Sequence, residues 1–134
     1  MKTKNGDMIE IPSLYDKRGS LCFLENDSSI PFRIQRIYYI FDVPSAANRG
    51  GHAHKKLQQI FIALSGSFTI NLKWGRNSNV YQLNNPKMGL YIGPMVWREL
   101  YNFSSGAVCL VLASEKFSEN DYIRKYTSFK KYEC

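Results

Sequence analysis

The chain has 134 residues, of which 44% are hydrophobic, 14% aromatic and 22% charged, with 18 Lys and Arg against 11 Asp and Glu for a net charge of +7. That length suits one compact domain spanning residues 1–134, and the aromatic content excludes a solvated, disordered chain. No apolar run approaches the roughly 20 residues of a spanning helix, and Met1-Lys-Thr-Lys-Asn-Gly-Asp leads into no apolar signal core. The expectation is a cytoplasmic protein with no membrane association. The positive balance points to an anionic partner. No RNP-like aromatic motif or recognition-helix pattern accompanies it, so nucleic acid is not expected, and a few cations serve a pyrophosphate equally well. Cys22, Cys109 and Cys134 are widely separated, with no Cys-x-x-Cys spacing for zinc or redox work and no disulfide expected. Cys22 and Cys109 lie in apolar runs and read as small core residues.

In chain order, a turn at 16–20 precedes a strand at 21–25. Pro31 then opens a strand over 33–41 that is rich in β-branched and aromatic residues. Residues 44–51 read as a loop, 52–58 as an alternating strand and 60–64 as a buried run. A strand at 68–74, a hairpin loop at 75–79 and a return strand at 80–83 follow. Further strands are expected at 90–92, 96–103 and 107–113, the last apolar on both faces. Only 118–126 has helical character, with Ser118 as N-cap and acidic residues in the first turn. Many short strands separated by Gly and Pro turns predict an all-β jelly-roll barrel or sandwich with a short C-terminal helix.

The richest segment is Arg49-Gly-Gly-His-Ala-His-Lys-Lys-Leu-Gln, which holds both histidines of the chain. In one continuous strand, His52, His54, Lys56 and Gln58 share a face. A metal site there would want a carboxylate close by and a further histidine, whereas Lys55 and Lys56 follow, so no metal is expected. Acid–base chemistry is the other use, since cationic neighbours favour the neutral imidazole that a base needs. Two partly exposed loop histidines remain the bland alternative. Within the strand at 33–41, Arg36 and Tyr38 share one face while Ile37, Tyr39 and Phe41 take the other. A buried Arg36 calls for an anion or a carboxylate. Trp97-Arg98-Glu99 offers either an aromatic wall with an ion pair or a core Trp beside surface charges.

Read together and in order, Tyr15-Asp-Lys-Arg-Gly-Ser, Arg36-Ile-Tyr-Tyr-Ile, Arg49-Gly-Gly-His-Ala-His-Lys-Lys-Leu, Gly89-Leu-Tyr-Ile-Gly-Pro, Val96-Trp-Arg-Glu and Asp121-Tyr-Ile-Arg resemble one family. It is the cupin sugar 3,4-ketoisomerases acting on dTDP-4-keto-6-deoxyglucose. The resemblance implies a cupin barrel without cofactor or metal that interconverts 4-keto and 3-keto nucleotide sugars. It also implies a homodimer with exchanged N-terminal strands around 21–25, hinged at 26–29. It places the family's active-site histidines on His52 and His54, its preceding arginine on Arg49, and its strand Arg-x-Tyr on Arg36 and Tyr38. The site expected from motif and pattern is therefore His54, His52 and Tyr38 as catalytic groups. Arg49, Arg36, Lys56, Gln58, Trp97 and Arg98 are the expected substrate-binding groups. Of the two histidines, His54 is expected to be the base at carbon 3, being farther into the strand. The chain departs from the family in having Arg98 where a His often follows the Trp. A 3,5-epimerase and a non-catalytic sugar-binding cupin are the competing readings. An epimerase would pair a His with an Asp, and the acids nearest the pair in sequence are Asp42 and Glu25.

Overall fold

The computed structural model describes residues 3–26 and 30–132. Residues 27–29 of the expected hinge, and Cys134, lie outside them. The elements in order are β1 (Met8–Glu10), β2 (Ser13–Asp16), β3 (Gly19–Cys22), β4 (Arg36–Phe41), β5 (Arg49–His54) and β6 (Gln59–Ser65). There follow β7 (Phe68–Trp74), β8 (Asn77–Leu83), β9 (Met88–Ile92), β10 (Trp97–Tyr101), β11 (Val108–Ala113), β12 (Tyr122–Ile123) and α1 (Tyr126–Lys131).

Ten strands form two antiparallel sheets, ordered β1-β9-β6-β11-β4 and β12-β5-β10-β7-β8, while β2 and β3 pair only with each other. The all-β jelly roll with a short C-terminal helix is therefore present. Alternation decides what lies between the sheets. Phe61, Ala63, Phe68, Ile70, Leu72, Leu90, Leu100, Cys109 and Val111 face inward and fill one end of the barrel. Each Val, Leu, Ile or Phe among them contributes about 1.5–3 kcal/mol relative to exposure. Ile60, Ile62 and Leu112 point the opposite way from the same strands, and Ile11, Phe32 and Tyr91 cover them. Outside the second sheet, α1 sets Phe129 against Ala53, Trp97 and Ile123. The other end of the barrel, between β4 and β5, is left for polar groups.

Four local expectations need correction. The helix at 118–126 is instead a 3₁₀ turn, Glu119–Asp121, followed by β12, and α1 begins only at Tyr126. Ser118 makes no capping bond, and Tyr122 and Ile123 pair with His54 and Ala53 of β5, so the sheet edge overrides local helical preference. The loop at 44–51 ends early, because β5 already starts at Arg49. Trp74 pairs with Asn77, which shortens the loop at 75–79 to two residues. Cys22 is exposed on β3, whereas Cys109 is fully buried.

Candidate active site

β5 reaches the barrel interior through a glycine bulge. Gly50 and Gly51 have φ of +86° and +67°, and a Cβ on Gly50 would lie 3.0 Å from the Arg98 carbonyl oxygen, so only glycine fits there. The register between β5 and β10 shifts at Arg98 and Glu99, as a bulge requires. The turn leaves Arg49 on the rim and places His52 directly opposite Arg98, both pointing inward. His52 Nδ1 lies 3.1 Å from the Gly50 carbonyl oxygen, which can only accept a hydrogen bond. The ring therefore carries its proton on Nδ1 and presents the Nε2 lone pair. Burial first, and the Arg98 charge second, lower the His52 pKa to about 4. The imidazole is neutral at physiological pH.

Arg98 is 1% exposed. Its Nη1 donates to the Gln59 side-chain oxygen, and its Nε and Nη2 donate to the Val96 carbonyl at 3.3 Å. Among the described residues no carboxylate forms an ion pair with it. Burial lowers its pKa to about 10, which still leaves a cation. A buried charge held by neutral acceptors is costly unless an anion joins it, so the barrel is built to receive negative charge. Gln59 also donates to the Tyr38 phenolic oxygen at 2.8 Å, which leaves the Tyr38 proton free for another acceptor. Burial pushes the Tyr38 pKa up, so the phenol stays a donor. Arg36, two residues earlier on β4, has its guanidinium 5.2 Å from the Tyr38 ring centre. His52, Arg98, Tyr38, Arg36, Arg49 and Tyr122 line a cavity of about 310 Å³.

His54 lies deeper, 1% exposed, against a second cavity of about 450 Å³ toward the loop that follows β11. Lys55, Lys56, Lys116 and Asp121 line that cavity, and Arg36 and Tyr122 border both spaces. His54 Nδ1 is 3.5 Å from an Asp121 carboxylate oxygen. Burial, with help from Arg98 and His52, lowers the His54 pKa to about 2, so this is a neutral ring facing a carboxylate. The Tyr122 ring packs on both imidazoles, with centroids 5.0 Å from His52 and 4.3 Å from His54, and Arg124 covers it at 4.0 Å. Met95, in the left-handed region at φ 60°, donates its amide to the His54 carbonyl at 2.7 Å and fixes the end of β5.

The structure thus brings together His52, His54, Tyr38, Arg36, Arg49 and Arg98. Lys56 stands apart on the outer cavity, and Gln58 and Trp97 line neither space. β5 stops at His54, so the parity assumed through residue 58 is lost: Gln58 accepts from the Tyr91 hydroxyl at 2.7 Å, and its neighbour Gln59 points inward. Trp97 faces outward, donating to Glu99 and packing on Phe129. Sequence reasoning missed Gln59, Asp121 and Tyr122. The last two sit in the quoted Asp121-Tyr-Ile-Arg block, and that block was the available signal. Among the described residues no group of three or more His, Cys, Asp or Glu side chains converges as a metal site would need.

Comparisons with known proteins show which family the chain belongs to. Residues 4–134 match the family described as FdtA: WxcM-like, C-terminal. The TDP-4-oxo-6-deoxy-alpha-D-glucose-3,4-oxoisomerase of Aneurinibacillus thermoaerophilus is 47% identical over 125 residues, covering 93% of this chain and 90% of that protein. Among solved structures, a mutant of the 3,4-ketoisomerase QdtA from Thermoanaerobacterium thermosaccharolyticum, in complex with TDP-4-keto-6-deoxyglucose, superposes with a TM-score of 0.93 at 44% identity. That match covers 98% of this chain and 95% of the other. The WlaRB TDP-quinovose 3,4-ketoisomerase from Campylobacter jejuni gives 0.91 at 47% identity, over 96% and 99% of the two chains.

Proposed function

The chain belongs to the FdtA family, WxcM-like, C-terminal, and from that premise we propose that it is a 3,4-ketoisomerase moving the ketone of a TDP-linked 4-keto-6-deoxyhexose from carbon 4 to carbon 3. The observation that carries the mechanism is His52 anchored through Nδ1 to Gly50, with the Arg98 guanidinium opposite it in one cavity. His52 Nε2 takes the proton at carbon 3, which the neighbouring carbonyl acidifies. The C3–H electron pair becomes the C3–C4 double bond, and the carbonyl oxygen on carbon 4 becomes the enediolate oxyanion. Arg98 and the free Tyr38 proton stabilise that charge, in a site where donors need no reorganisation. The protonated His52 then returns its proton to carbon 4 while the proton of the carbon 3 hydroxyl passes to the oxygen on carbon 4, which leaves the ketone at carbon 3 and a hydroxyl at carbon 4. No step calls for a metal or cofactor.

Burial favours His52 over His54 as the base, contrary to the choice made from strand position. His54 is closed off behind Tyr122 and faces Asp121, whereas His52 opens into the cavity with Arg98. Arg49 on the rim and Arg36 between the two spaces suit the diphosphate. Lys56, on the outer cavity, reaches only that end of the substrate.

The protein works as a homodimer in this reading. The β2–β3 hairpin is exposed along its whole length, and Leu14 and Leu21 are more than half exposed. Ile37, Tyr39 and Phe41, on the outer face of the edge strand β4, are more than half exposed too. A second copy that covers both removes these exposed apolar side chains from water. Among the described residues no helix is long and apolar enough to cross a membrane, and a cytoplasmic location suits an enzyme that consumes a nucleotide sugar.

Incubation with TDP-4-keto-6-deoxyglucose, followed by NMR of the product, tests the reaction. A carbonyl carbon at position 3 supports it. Solvent deuterium at carbon 5 with the ketone still at carbon 4 would assign a 3,5-epimerase, and unchanged substrate would assign a binding module.

A further inference from the structure

The β5–β6 connection, residues 55–58, leaves backbone amides without sheet partners just where the histidine strand ends. Ser114 Oγ accepts from the Gln58 amide at 2.9 Å, and one residue from a distant part of the chain satisfies the other three. The Asp121 carboxylate accepts from the Lys56 amide at 2.9 Å and from the Leu57 amide at 3.2 Å, while its carbonyl accepts from the Lys55 amide at 2.9 Å. The oxygen that holds Leu57 is also the one 3.5 Å from His54 Nδ1, a buried nitrogen with no hydrogen-bond partner. A carboxylate only accepts, so the nitrogen turned toward it carries the proton. The opposite tautomer would turn a nitrogen lone pair toward a carboxylate oxygen at an atom buried from solvent. We infer that Asp121 is a positioning residue for the isomerisation, holding His54 in the Nδ1–H tautomer and locking the end of β5 that carries both histidines.

The inference rests on the proposed isomerase reading and adds a group that acts through others. Asp121 touches His54 and the 55–57 backbone, and through them sets where His52 stands against Arg98 and where the Tyr122 ring packs. Loss of such an anchor leaves the substrate's handles in place but misaligns the proton carrier, which lowers kcat more than it changes KM.

The chain has only two histidines, so long-range proton–nitrogen correlation on ¹⁵N-histidine-labelled full-length protein resolves both rings, with the His52→Asn variant giving the assignment. The expected result is His54 as the Nδ1–H tautomer. In Asp121→Ala it shifts toward Nε2–H, and kcat falls at least about tenfold with KM within about threefold. Asp121→Asn keeps an acceptor for at least one amide and falls between the two in kcat. It provides the kinetic reading if alanine costs the fold. An Nε2–H tautomer for His54 in the unaltered protein would overturn the inference, as would wild-type kcat in either variant. The tautomer is read without substrate, so a protein that fails to isomerise the sugar nucleotide sinks the functional reading through a separate measurement.

Discussion

His52 and Arg98 are registered partners on β5 and β10, so the imidazole proposed as the proton carrier has a buried guanidinium directly across from it. The pairing does two things at once. It adds to burial in keeping the ring neutral, and it places a cation where negative charge develops when that ring takes a proton.

The first consequence is a pH dependence displaced from that of an ordinary histidine. With the His52 pKa lowered to about 4, kcat/KM stays level from pH 7 to about pH 5 and falls as the pH approaches 4. A half-loss near the ordinary value of about 6.5 would contradict it. Stability carries the same signature. Both folded-state values lie below the unfolded one, so the unfolded chain binds more protons from about 6.5 downward and stability falls as the pH falls. Denaturant melts at pH 7 and pH 5 should differ by up to about 2 kcal/mol for each histidine. The difference should shrink in His52→Asn.

Arg98→Met separates function from folding. Replacing a buried cation that lacks a carboxylate partner by an apolar side chain of similar volume removes the cost of holding that charge away from water. The denaturation midpoint is expected to hold or rise, although Gln59 loses one partner. Turnover is expected to fall by about 100-fold or more, the usual effect of removing a donor from a developing oxyanion. Retained turnover would remove Arg98 from the chemistry.

The apolar outer face of β4 predicts the assembly. Sedimentation at micromolar concentration should give a dimer, and Tyr39→Asp, which puts a charge at the centre of that face, should give a monomer. A monomeric wild type would contradict the assignment of that face to a second copy.

Strand alternation made much of this molecule readable before any coordinates. Arg36 and Tyr38 turn inward and Ile37, Tyr39 and Phe41 outward, as the two-residue period requires. Parity fails where a strand ends, and the sequence does not mark that end. Lys55 and Lys56 continue the polar alternation of β5, but their amides leave the sheet for Asp121, and the count restarts at Gln59. This displaced the expected inward residue from Gln59 to Gln58. Asp121 was hidden for a different reason. It lies 67 residues from His54 in the chain, by the difference of their numbers, and only the pairing of β12 with β5 brings it to the ring. The helical reading of 118–126 failed on the same pairing, because a two-residue strand has no periodicity to detect. Depth was likewise unreadable. Spacing put both histidines on one face, whereas the structure closes one behind Tyr122 and opens the other onto Arg98.

The central claim is that His52 removes the proton at carbon 3. The most direct measurement is wash-in of solvent deuterium at carbon 3 of TDP-4-keto-6-deoxyglucose, followed by NMR, in parallel for His52→Asn and His54→Asn, with TDP affinity as the control for binding. The account predicts that exchange disappears in His52→Asn with TDP affinity unchanged, and that it persists at a reduced rate in His54→Asn. Exchange at the wild-type rate in His52→Asn, with none in His54→Asn, would contradict it.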